Sequence, residues 1–188
     1  NPITINETKR ILKDKIIPAN LKSEDIDEVK NYQKALLQML KDSNDKNPLT
    51  LQTILDYHFL AMGHKPNIAG KIRKIEVHIS GNPDFRITRA KNIEKELGEL
   101  IKKYNEFIKK EKVPLKKILN FAVYLHNDFQ HIHPFEDGNG RIARALTDMA
   151  LAQDEKLGVR YYSLSSQIME EREEYYRILE KSSKTGSV

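Results

Sequence analysis

The 188-residue chain contains no cysteine, which excludes disulfide bonds, thiol nucleophiles and thiolate metal ligands. That composition suits a reducing cytoplasm, and a cytoplasmic location is the expectation it sets. No stretch approaches the roughly 20 consecutive apolar residues that a membrane-spanning helix requires, and the first residues show no charged-then-apolar leader pattern. A soluble protein with no membrane partner is expected. Also missing is any interleaving of aromatic and basic residues of the kind that stacks on and grips nucleic acid. Lysine and arginine total 32 against 27 acidic residues, a formal net charge of +5, but they are scattered over several amphipathic segments. A nucleic-acid partner is therefore not expected, although the modest excess can still draw a nucleotide or an acidic protein. With 39% hydrophobic residues, the chain can bury one core and little more.

Most of the chain follows a helical rhythm. Ser23-Glu24-Asp25 reads as a cap with an acidic first turn, followed by core candidates Ile26, Val29, Leu36, Leu37 and Leu40. Thr50 is placed to cap a second helix that runs to about Met62 and closes at Gly63. Ile93, Leu97, Leu100, Ile101, Tyr104 and Ile108 form one apolar stripe; beyond Pro114, Ile118, Phe121, Ala122, Leu125 and Phe129 form another. The pattern predicts an all-α bundle of about seven helices. One stretch departs from it. Ile75, Val77 and Ile79 alternate with polar residues, Gly81-Asn82-Pro83-Asp84 supplies a turn, and Phe85 and Ile87 alternate again, which predicts a short β-hairpin. Residues 1–182 are expected to form a single domain and 183–188 a flexible polar tail.

The chemistry is concentrated in the run from His133 to Arg144. Gly138-Asn139-Gly140 sets two residues without Cβ around one that tolerates the left-handed region, so backbone N–H groups can converge on an anion. Arg141-Ile142-Ala143-Arg144-Ala145-Leu146 has no helix breaker, and Ile142, Leu146 and Met149 follow helical spacing toward a core. The loop thus feeds a helix N-terminus, whose orphan N–H groups and positive dipole end favour phosphate. Arg141 and Arg144 project from neighbouring positions, where each guanidinium can grip a different phosphate of an oligophosphate. Asp137 is placed to hold a hard cation such as Mg²⁺, whose other ligands are water and substrate phosphate. His133 is the natural general base, because imidazole titrates near neutrality. Each residue alone has a plainer explanation: GNG as a simple turn, Arg144 paired with Asp148, Phe135 as a core anchor. Their joint occurrence at this spacing does not.

These residues match, at every specified position, the motif H-x-F-x-(D/E)-G-N-G-R-x-x-R, and the chain is thereby identified as resembling the Fic family. Residues 125–132 resemble the end of the helix before the motif in that family. Residues 163–179, with Arg172 and Tyr175-Tyr176, resemble the helix after it. The resemblance implies a Fic-type helical bundle with one short hairpin flap, and a protein adenylyltransferase that moves AMP from Mg-ATP onto a Ser, Thr or Tyr hydroxyl. On that pattern His133 deprotonates the hydroxyl, which attacks the α-phosphorus, and pyrophosphate leaves. Asp137 holds Mg²⁺, Gly138, Asn139 and Gly140 form the anion cradle with a donor from the Asn139 side chain, and Arg141 and Arg144 bind the outer phosphates. The flap would dock the target's backbone along Val77, His78, Ile79 and Ser80 by strand addition. Tyr175 and Tyr176 are loose candidates for adenine contacts, and a homodimer is among the assemblies open to the chain.

Other transfers on the same motif stay open, including phosphoryl transfer and removal of AMP. So does a nucleotide-binding regulatory module without transferase activity, although the intact His133, Asp137, Arg141 and Arg144 weigh against it. A Mg²⁺-dependent nuclease would call for more carboxylates and a denser basic face. Many family members carry an inhibitory helix of pattern (S/T)-x-x-x-E-(G/N), whose Glu pairs with the second motif arginine, here Arg144. No complete copy is present; Ser166-Gln167-Ile168-Met169-Glu170-Glu171 ends in the wrong residue. The segment from Asn1 to Thr8 resembles the stretch that follows such a helix in one class of the family. The expectation is a catalytic core that begins just past that helix and is uninhibited.

Overall fold

The structure, a computed structural model, describes residues 22–78 and 87–153 together with Glu171, Glu174, Arg177 and Ile178. Five α-helices occur among the described residues, against the seven expected: α1 (Ser23–Asn44), α2 (Leu51–Ala61), α3 (Ile93–Ile108), α4 (Leu115–Ile132) and α5 (Asn139–Leu151). A 3-10 turn at Ala90–Asn92 leads into α3. None of these helices is long and apolar enough to cross a membrane.

Thr50 caps α2 as its position predicts. Its hydroxyl accepts from the Thr53 N–H at 3.0 Å, and Thr53 Oγ1 accepts from the Thr50 N–H at 2.7 Å, a reciprocal capping box. The start of α1 differs from expectation. Ser23 is its first helical residue; Lys22 holds the cap position without a side-chain bond, and Glu24 and Asp25 supply the acidic first turn. The buried residues of α1 are Ile26, Ala35, Met39 and Ser43, whereas Leu37 is 60% exposed. The sequence prediction followed the large side chains. Ile26 is buried as expected and Val29, Leu36 and Leu40 are partly buried, while Ala35, Met39 and Ser43 complete the inward face, where Ser43 Oγ donates to the Met149 carbonyl of α5 at 2.8 Å.

The stripes on α3 and α4 are where their spacing puts them. Ile93, Leu97, Leu100, Tyr104 and Ile108 are buried on α3, and Ile118, Ala122, Leu125 and Phe129 on α4, with Ile101 and Phe121 partly buried. Pro114 stands at the cap of α4, where no intrahelical donor is needed. The helix carrying the motif, α5, is the most enclosed. Ile142, Leu146 and Met149 are buried as predicted, and so are Ala143, Ala145, Ala150, Thr147 and Asp148. Alanines on its other faces let α4 and α1 approach closely.

The ends of the stretch predicted as a hairpin are anchored to the rest of the domain by main-chain bonds. No strand occurs among the described residues; residues 71–78 and 87–89 are irregular. Their donors bind the bundle: the Arg73 N–H donates to the Pro134 carbonyl at 2.9 Å and the Thr88 N–H to the His131 carbonyl at 2.8 Å. The Ala90 N–H donates to the Glu76 carboxylate at 3.1 Å. Ile79, Ser80, the expected turn at 81–84 and Phe85 lie outside the described residues, as do Asn1 to Thr8, Arg172, Tyr175, Tyr176 and the tail 183–188. Within the predicted helix at 163–179, Glu174, Arg177 and Ile178 are helical.

Candidate active site

His133 is the C-cap of α4, with φ +47°, a left-handed conformation common at helix ends and unusual for a residue with a side chain. Its Nδ1 lies 3.2 Å from the Gln130 carbonyl. A carbonyl only accepts, so Nδ1 carries the hydrogen and Nε2 keeps its lone pair. Burial lowers the imidazole pKa; the Gln130 bond and the Asp137 charge oppose it, Arg73 adds to it, and the net direction is down. The ring is therefore neutral and basic at Nε2 near neutral pH.

The loop after His133 is locked from two sides. Phe135 is fully buried and stacks on His58 of α2, ring centroids 3.6 Å apart and planes 3° from parallel. The Gly70 N–H donates to His58 Nδ1 at 2.9 Å, so Nε2 carries the hydrogen and donates to the Asp137 carbonyl at 2.9 Å. From the other side Asn139 bonds both backbone groups of Phe135: its Oδ1 accepts from the Phe135 N–H at 2.9 Å and its Nδ2 donates to the carbonyl at 2.7 Å. The left-handed residue of the glycine run is Gly138, at φ +83°, while Asn139 is already the first residue of α5. A Cβ on Gly138 would come within 2.8 Å of Met62 Sδ, so conformation and space both demand glycine there.

The charged groups gather at the N-terminus of α5. Arg141 donates through Nη2 to Glu28 of α1 at 2.7 Å, and its Nη1 lies 2.9 Å from Met62 Sδ. Arg144 folds back along the helix: its Nη1 is 3.2 Å from where a Cβ on Gly140 would stand, so that glycine makes room for the second guanidinium. The Asp137 carboxylate accepts from the Gly138 N–H at 2.6 Å and from Lys65 Nζ at 2.6 Å. Burial alone would raise its pKa, but Lys65, Arg141 and the Gly138 N–H together hold it below the usual carboxylate value. One ionised carboxylate beside a helix N-terminus suits a hard cation that completes its shell with other oxygen ligands. Lys65 and Asp137 are both nearly half exposed, and such an ion pair is weak enough to be exchanged.

All seven motif residues that the sequence singled out, His133, Asp137, Gly138, Asn139, Gly140, Arg141 and Arg144, thus lie on one loop and the first turns of α5. Of the predicted flap, Val77 is half-buried and His78 exposed. A cavity of about 380 Å³ lined by Asn92, Glu96, Lys103 and His131, among others, includes none of the seven. Four residues that sequence reasoning did not single out complete the site: Glu28, His58, Lys65 and Arg73. A signal existed for His58, which shares a helix face with Ile54 and Ala61 and so had to be a buried histidine. The other three carry no periodic mark.

The model of the Fic/DOC family matches residues 48–151, more than half of the chain. The chain belongs to the Fic/DOC family. Over 152 residues it is 26% identical to the proteins named protein adenylyltransferase Fic of Drosophila erecta and Drosophila melanogaster, a match covering 80% of this chain and 29% and 30% of theirs. It thus spans less than a third of those curated relatives. Among solved structures, a Fic-domain signaling protein of Bacteroides thetaiotaomicron superposes with a TM-score of 0.70 at 26% identity, over 81% of this chain and 57% of that one. A Fic family protein of Desulfovibrio desulfuricans gives 0.74 at 20% identity, over 99% and 54%, a likeness of fold.

Proposed function

We propose that this Fic domain is a protein adenylyltransferase, moving AMP from ATP onto a Ser, Thr or Tyr hydroxyl of a target protein. The observation that carries the proposal is the state of His133: Nδ1 is tied to the Gln130 carbonyl, so Nε2 is left basic beside a helix N-terminus flanked by two arginines. In this reaction Nε2 takes the hydroxyl proton as the oxygen forms a bond to the α-phosphorus. The bond from that phosphorus to the bridging oxygen breaks, and pyrophosphate leaves with its electrons. The first turn of α5 orients the phosphates, and Arg141 and Arg144 neutralise the charge that builds on the leaving group. Asp137 would hold Mg²⁺, which when bound screens the phosphate oxygens and supplies electrophilic assistance. Asp137 is paired with Lys65 and Arg141 with Glu28, and nucleotide and cation binding would exchange these internal ion pairs for phosphate and cation contacts.

The test uses Mg-ATP labelled at the α or the γ position, with the wild-type domain and a His133→Ala variant, reading label on protein. Label from the α position is expected, and it is expected to fall by about 1,000-fold in the variant, within the range for loss of a general base. Label from the γ position would instead make the domain a kinase, and α label that survives in His133→Ala would remove the assigned base.

A further inference from the structure

Arg73 is 2% exposed and belongs to none of the motif positions. A buried guanidinium is costly unless its donors are met, and here they are met by main chain. Nε donates to the His133 carbonyl at 2.7 Å, Nη1 to the Ile75 carbonyl at 2.8 Å, and Nη2 to the Thr88 carbonyl at 2.5 Å. Its own backbone N–H donates to the Pro134 carbonyl at 2.9 Å. The nearest carboxylate, Glu76, stands off at 3.7 Å and is 62% exposed. A planar fork of fixed donors suits carbonyls that diverge in this way, and a single ammonium does not. The carbonyls it joins belong to irregular backbone, and the first belongs to the left-handed His133. A side-chain-bearing residue stays in that conformation only where its surroundings fix it.

We propose that Arg73 is a positioning residue for the transfer reaction: it fixes the main chain of His133, and so the direction of Nε2. It also ties that point to the segments on both sides of residues 79–86. The inference rests on the adenylyl-transfer reading. An imidazole displaced by about 1 Å loses on the order of 100-fold in rate without losing the nucleotide site, because the phosphate-binding groups sit on α5 and do not touch Arg73.

The experiment compares wild type with Arg73→Lys, which keeps the charge and removes the fork. It measures self-labelling from α-labelled Mg-ATP as kcat and KM, and amide hydrogen exchange at Thr88 and at Leu146. The expected result is a kcat lowered about 100-fold with KM for ATP within about twofold of wild type. Thr88 exchange is expected to rise at least about tenfold while Leu146, in the core of α5, is unchanged. In Arg73→Ala, ethylguanidinium is expected to restore part of kcat and ethylammonium none. Wild-type kcat in Arg73→Lys overturns the proposal. So does a loss of cooperative unfolding or a Leu146 amide that loosens as much as Thr88, either of which makes Arg73 a core residue only. Absence of α label on the wild type itself refutes the transfer reading; α label formed at the wild-type rate in Arg73→Lys refutes the positioning role alone.

Discussion

On α3 and α4 the buried residues are almost all apolar. Leu97, Leu100, Tyr104 and Phe107 of one helix are enclosed with Ile118, Ala122 and Leu125 of the other, and Phe107 stacks on Phe121 with ring centroids 3.9 Å apart. Between His133 and Arg141 the chain is held instead by directed polar bonds, from His58, Arg73 and Asn139 to backbone groups. The two regions fail in different ways. Apolar packing is non-directional, so losing part of it lowers stability while the rest keeps its shape. Directed bonds fix where atoms lie, so losing one moves the atoms that perform chemistry.

Two substitutions sharpen that contrast, beginning with the largest expected effect. Leu100→Ala is expected to lower unfolding free energy by about 3 kcal/mol, as for a fully buried leucine, and to leave transfer by the folded fraction unchanged. Asn139→Ala removes both bonds to the Phe135 backbone and leaves a buried N–H and carbonyl unmatched, a loss of about 2 kcal/mol. It is also expected to cut transfer at least about tenfold. Denaturant unfolding and α-labelling on the same samples separate the two. If Asn139→Ala lost stability and kept its rate, the polar bonds would be ordinary packing and the contrast would disappear.

The same difference explains how much of the molecule was legible beforehand. Apolar periodicity is local in sequence, so the stripes on α3, α4 and α5 and the cap at Thr50 could be read directly. Spacing also brought the motif residues together, because His133 to Arg144 are contiguous. What could not be read is anything set by pairing across the chain. Glu28 meets Arg141 over 113 positions and Lys65 meets Asp137 over 72, and a charged residue in a polar stretch carries no mark of its partner. The anchoring of the stretch that flanks residues 79–86 escaped for the same reason: alternation from Ile75 to Ile87 says nothing of the Arg73 and Thr88 N–H groups, whose partners are the carbonyls of Pro134 and His131. Leu37 misled in the opposite sense, since size alone does not say which face of a helix is inward.

A second way to probe the polar region is through proton activity. As the proposed base, His133 can act only when neutral, and burial lowers its pKa from the ordinary 6.5. The neutral ring therefore persists to lower pH than in a free histidine. Transfer at saturating Mg-ATP is expected to be flat near neutrality and to fall on the acid side along a limb whose midpoint lies below 6.5. The slope there approaches about tenfold per pH unit. A midpoint above 6.5 would mean that the Asp137 charge outweighs burial. Leu100→Ala is expected to leave the profile where it is, because Gln130, Arg73 and Asp137, the groups that shift the His133 imidazole, all lie outside α3.

The smallest effect is expected at the edge of the site, where a polar contact exists to be exchanged. Glu28 holds Arg141 at 2.7 Å, and both side chains are largely enclosed, with 18% and 20% of their surface exposed. A carboxylate in that position neutralises charge that a triphosphate would otherwise meet. Glu28→Gln keeps the shape and one hydrogen-bond acceptor but removes the competing charge. ATP binding measured by titration calorimetry is expected to tighten about fivefold, the equivalent of about 1 kcal/mol for an ion pair of this kind. The gain is expected to shrink as salt is added, since salt screens the attraction between Arg141 and an approaching triphosphate. Weaker binding in Glu28→Gln would reverse the assignment: Glu28 would then be the group that aims Arg141 at phosphate, and this contact would belong with the directed bonds of the loop instead of with the exchangeable ones.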